Sequence, residues 1–199
     1  MSDGDPKSRP ILGFLTVIQY DPYGLMGGYL VLNDAGRPLE FHCTAPVKAN
    51  RAQEILYGPT LDPYLYGEQI GLTLIAKAKQ SVPALFTDVA PALSARQGLA
   101  TPMALVLADE QAARDVTARH ESLLAQSCDA TNEAGVAALT TPLLHHFCLG
   151  GHRLAVETPH AGDAALLEDL LGSGPGTLDL FEPFGRIREA LDEAQRMGR

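Results

Sequence analysis

Metal-ligating and proton-transferring side chains are scattered along this 199-residue chain, with one concentration at His145-His146-Phe147-Cys148-Leu149-Gly150-Gly151-His152. Histidine and cysteine are the preferred ligands of zinc, which in a structural site takes a tetrahedron of them. The spacing argues against that reading. Gly150-Gly151 suits a two-residue hairpin turn, which sets Leu149 opposite His152, Phe147 opposite Leu154 and His145 opposite Val156. Alternation then places His145 and His152 on one face of the ribbon, and His146 and Cys148 on the other. Ligands on opposite faces cannot share an ion, so ordinary strand residues are expected. His42 and Cys43 are neighbours in a strand-like segment and point apart for the same reason. Cys43 and Cys128 have no local base to make a nucleophile and read as small buried hydrophobes. His120, at helical spacing from Val116 and Leu123, reads as a packing histidine. No phosphate loop, Gly-x-Ser-x-Gly elbow or His-Glu-x-x-His is present. Among the carboxylates, Glu68 falls on the helical stripe of Leu61, Leu65, Leu72 and Ile75. A buried acid there must be paired, protonated or metal-bound, unless the helix starts near Gly67 and leaves Glu68 wet in its first turn.

The elements that hold these residues follow from apolar periodicity and turn chemistry. Residues 11–19 read as a buried strand, and Asp21-Pro22-Tyr23-Gly24 as a turn that Gly27-Gly28 prolongs. Residues 29–32 form a second strand, Asn33-Asp34-Ala35-Gly36 a hairpin connection, and residues 39–44 a third strand. Helices are expected over 49–57 and 61–79, broken by Gly58-Pro59. Strands follow at 82–88 and 103–107, with a short helix or loop at 91–97 between them, and then a helix over 109–126 capped by Asp109. Strands at 143–149 and 152–157 and helices at 163–171 and 183–196 complete the chain. The fold class is α/β: a mixed sheet of about five to seven strands that begins as a three-stranded antiparallel meander, with helices packed on it. Residues 1–10 read as a flexible tail, 11–172 as one α/β domain, and 173–199 as a Gly-rich linker with an amphipathic helix.

At this point the order of elements resembles the ribonuclease H-like superfamily, in which three antiparallel strands, a helix and a parallel strand gather acids around two divalent metals. Asp21 ends the first strand, Gly27-Gly28-Tyr29 opens the second, Asn50-Arg51-Ala52-Gln53-Glu54 is similar to the family's helix start, and Thr87-Asp88 ends the fourth strand. His160 precedes a helix carrying Asp163 and Asp169. The resemblance implies Asp21, Glu54 and Asp88 as Mg²⁺ or Mn²⁺ ligands, Glu68 as a replacement for Glu54, Asp163 or Asp169 as the fourth ligand, and His160 as a proton shuttle. The chemistry would be phosphodiester hydrolysis, with the metals activating water and stabilising the leaving oxygen.

A rival reading starts at the other end of the chain. Leu180, Phe184, Ile187, Leu191 and Ala194 are spaced 4, 3, 4, 3, the period of a helix-packing seam. A helix behind a Gly-rich linker could dock through that seam onto a partner or a second copy, or fold back onto its own sheet. The formal net charge of -9 disfavours nonspecific contact with phosphate backbones. Three cysteines without secreted-type spacing suit a reducing compartment, the acids that precede any base at the N-terminus do not suit a secretory signal, and apolar runs of about eight residues fall short of the ~20 that span a bilayer. The expectation is a soluble cytoplasmic protein working through protein–protein contacts as a binding or assembly subunit, without a membrane. A divalent-metal-dependent nuclease is the alternative.

Overall fold

The computed structural model describes residues 10–108, 143–172 and 179–197. The expected tail at 1–9, the helix over 109–126 with His120, Cys128, and the linker at 173–178 lie outside the described residues. What is described is an α/β fold around a seven-stranded mixed sheet. In chain order the strands are β1 (Leu12–Tyr20), β2 (Gly24–Leu32), β3 (Pro38–Cys43), β4 (Ala84–Thr87), β5 (Met103–Leu107), β6 (Leu144–Leu149) and β7 (His152–Glu157). Across the sheet the order is β3-β2-β1-β4-β5-β7-β6. β1, β2 and β3 form the expected antiparallel meander, while β4 runs parallel to β1 and β5 parallel to β4. The β6–β7 hairpin turns through Gly150 and Gly151, both at positive φ, and pairs Leu149 with His152 and His145 with Val156 as its sequence predicts.

The helices are α1 (Arg51–Tyr57), α2 (residues 61–77), α3 (Gly162–Leu171) and α4 (Glu182–Met197), with a 3-10 segment at Ala90–Gly98. α1 starts where Asn50 caps it: the Asn50 side chain accepts from the Gln53 amide, and the Gln53 side chain accepts from the Asn50 amide. Each strand sends alternate side chains to opposite faces, and each face has its own helical cover. On one, Phe14, Leu30, Phe86, Val106 and Leu154 meet Leu167 of α3 and Phe184, Ile187 and Leu191 of α4. Phe14 stacks on Phe86 and takes the edge of Phe184. On the other, Leu15, Val31, Leu85 and Leu105 meet Leu65, Ile70 and Leu74 of α2 and Leu93 of the 3-10 segment.

Two expectations are corrected here. Gly27 and Gly28 are not loop residues but the middle of β2, which is buried along its full nine-residue length. They are small because helices press on that strand from both sides. A Cβ on Gly27 would lie 2.1 Å from Ile70 of α2, and one on Gly28 would lie 2.3 Å from Ile187 of α4. The inward stripe of α2 is also different. Its middle, Tyr64–Leu72, is π-helical, and each π turn takes in more than the 3.6 residues of an α-helix. The phase slips, so Leu65, Gly67, Ile70, Gly71 and Leu74 face the core. Glu68 is left exposed.

Candidate functional site

The acids singled out by the sequence are held apart, each by its own local chemistry. Asp21 sits in the exposed β1–β2 turn and accepts from the Gln19 side chain. Glu54 lies on the exposed face of α1 in an ion pair with Arg51. Glu68 faces solvent, and Asp169 is exposed on α3. Only Asp88 and Asp163 are buried, and each is paired with an arginine. Among the described residues, which include all six acids, no group of three or more His, Cys, Asp or Glu side chains is placed to hold a metal ion. His160 ends a 3-10 turn before α3, where its charge partly offsets the effect of burial, which pushes the Glu157 carboxyl above its usual range.

The two buried aspartates differ in kind. Asp163, in the first turn of α3, receives Nε and Nη2 of Arg96 at 2.6 and 3.0 Å and the Met103 amide at 3.2 Å. Arg96 spends a further donor on the Leu99 carbonyl. Because Arg96 belongs to the 3-10 segment on one face of the sheet and Asp163 to α3 on the other, the pair ties the two helical layers together at the start of β5. Asp88 follows β4 on the α4 side and is reached by a single nitrogen of Arg188. Its other oxygen is buried without a well-formed hydrogen bond, as is the Thr16 hydroxyl one strand away, although that hydroxyl lies near enough to favour the charged carboxylate. Burial drives the Asp88 carboxyl above the usual aspartate range, against the opposing pull of Thr16 and Arg188. Further along α4, Tyr20 donates to Asp192 at 2.5 Å, and burial plus that carboxylate push its phenol up to about 12.

The seam proposed for partner binding is occupied. Leu180, Phe184, Ile187 and Leu191 are all buried in the core beneath α4. Burying each such side chain stabilises the fold by roughly 1.5–3 kcal/mol, which is why the helix folds back on its own sheet instead of waiting for a partner. Apolar surface is left open elsewhere. α1 buries none of its residues, and Ile55 and Leu56 on it are 66% and 82% exposed. β3, at one edge of the sheet, exposes Leu39, Phe41 and Cys43, so Cys43 is not the buried hydrophobe expected. On its other face Glu40 accepts from His42 and from the amides of Lys79 and Gln80, which close the chain after α2. Those contacts, the His42 hydrogen bond first, hold the Glu40 carboxyl below its usual range.

Sequence reasoning missed this surface because Leu39-x-Phe41-x-Cys43 alternates like any strand with a buried face. Only the position of β3 at the rim of the sheet, beyond the described helices, leaves the face open. The signal on α1 was legible: Ile55 and Leu56 have no apolar partners at helical spacing within their own short helix. No family model matches the chain, no curated protein is recognisably similar to it, and no solved structure matches it.

Proposed function

We propose that the protein works through protein–protein contact, as a binding or assembly subunit, and that its contact surface is the β3 edge with the exposed face of α1. The observation that carries this is the set of open apolar side chains on elements consecutive in sequence: Leu39 and Phe41 on an edge strand whose outer side has no neighbouring strand among the described residues, then Ile55 and Leu56 on a helix that buries nothing of its own. Isolated exposed apolar residues are ordinary on any surface, but an open edge strand with an apolar face is a template for association. The strand order, with a meander followed by a helix and a parallel strand beside β1, also supports reading the shape as ribonuclease H-like. Among the described residues the candidate acids form no group that could hold a metal ion, which favours contact over phosphodiester hydrolysis as the reading.

The test is quantitative co-purification of the tagged chain from its native cell extract. Phe41→Lys, and separately Ile55→Glu with Leu56→Glu, should cut recovery of associated chains by about tenfold or more, the effect expected when a contact worth ~1.4 kcal/mol or more is lost. Leu166→Glu, at a leucine on α3 that is also exposed, is the control and should leave recovery unchanged. Circular dichroism verifies that each variant is folded. Equal recovery from all of them would remove this surface from consideration.

A further inference from the structure

We infer that the occupant of the β3 edge is a second copy of this chain, joined strand to strand about a two-fold axis at Phe41; this rests on the contact-surface reading above. The backbone phase of β3 sets the register. Thr44 donates its amide to the Gly27 carbonyl at 3.0 Å, so Thr44 turns its backbone groups inward to β2. Antiparallel ladders alternate, so Glu40 and His42 also face β2, in register with Val31 and Tyr29, while Phe41 and Cys43 turn their amides and carbonyls outward. Leu39 is the extra residue of a bulge and has no register partner on β2.

An antiparallel copy can meet the outward groups of Phe41 with its own, and a pair that exchanges both hydrogen bonds with itself lies on a two-fold axis; the phase also admits axes at His42 or Cys43, and the side-chain pairings favour Phe41. In that register Phe41 faces its symmetry mate, Leu39 faces Cys43, and Glu40 faces His42. Each pairing is compatible: aromatic with aromatic, apolar with thiol, and carboxylate with imidazole, with no like charges opposed. The strand is complementary to itself in charge and in backbone phase. Pro38, which lacks an amide, bounds the pairing at its lower end. The opposite edge strand, β6, exposes His145, His146 and Cys148 and has no such apolar face.

Sedimentation equilibrium of the purified full chain reads the inference directly. The expected result is a species of twice the chain mass, which Phe41→Lys converts to the monomer. Oxidative cross-linking fixes the register without disturbing Phe41. Leu39→Cys, with Cys43 retained, should give a covalent dimer, and adding Cys43→Ser should abolish it. Cys43 alone should give none, since the axis sets the two copies of Cys43 about 13 Å apart along the strands. A monomer at all concentrations, a dimer that survives Phe41→Lys, or a cross-link independent of Cys43 would each overturn the inference. A monomeric wild type whose co-purification still depends on Phe41 and Ile55 would overturn only the second copy and leave the contact surface standing. Loss of both would remove both.

Discussion

Asp163 and Asp88 are both buried aspartates facing an arginine, one beside the start of β5 and the other just past the end of β4, yet they are built to different standards. Asp163 is saturated. Two guanidinium nitrogens and a main-chain amide reach its oxygens, and its arginine is itself only 15% exposed. Asp88 is half satisfied: one oxygen meets Arg188, whose side chain is 42% exposed, and the other makes no well-formed hydrogen bond and has only the Thr16 hydroxyl near it. A buried charge is stable only when its lone pairs are answered, so the first pair belongs to the frame of the fold. The second sits where α4 crosses the sheet and pays part of its desolvation uncompensated. The lesson is that burial and an arginine neighbour do not by themselves distinguish a structural acid from a perturbed one. The count of donors does.

The largest effect should come from breaking the saturated pair. Arg96→Ala leaves Asp163 buried and without its main partner, and should cost about 3–5 kcal/mol in chemical denaturation. A loss under ~1 kcal/mol would mean that the two pairs do not differ as described. Arg188→Ala should cost less, about 1–2 kcal/mol, because the arginine is partly hydrated already and Asp88 can take up a proton when its partner leaves. The double variant Arg188→Ala with Asp88→Asn should recover most of that loss, since no buried charge then remains. A double variant as unstable as the single one would show that Arg188 acts through packing of its stem and not through Asp88.

Neither pair could be read from the sequence, whereas most of the sheet could. Leu12 to Tyr20, Met103 to Leu107 and the β6–β7 hairpin fall where apolar runs and glycine turns place them, because those signals are local. Gly27-Gly28 misled for a physical reason: the same absence of a side chain serves a turn or a strand squeezed between two helices, and only Ile70 and Ile187, distant in sequence, decide which. Glu68 misled because the stripe was drawn with α-helical spacing through a π-helical stretch. Asp88 and Asp163 were singled out, but as members of one cluster. Their arginines are 100 and 67 residues away in sequence, so nothing near either acid announced its partner.

The smallest effect is the most discriminating. The folded protein holds the Asp88 pKa above the usual aspartate value, so between those two values the native state binds more protons at this site than the unfolded chain does. The contribution of Asp88 to stability is therefore greatest in acid. It falls as pH rises from the ordinary aspartate range through the raised pKa, and is constant above it. Asp88→Asn removes that slope while keeping the shape of the side chain. Unfolding free energies of wild type and variant should differ by no more than about 1 kcal/mol, with the wild type losing ground to the variant as pH climbs through that window. If the wild type instead gained on the variant, the carboxylate would be stabilised by its surroundings, and Asp88 would belong with Asp163 after all.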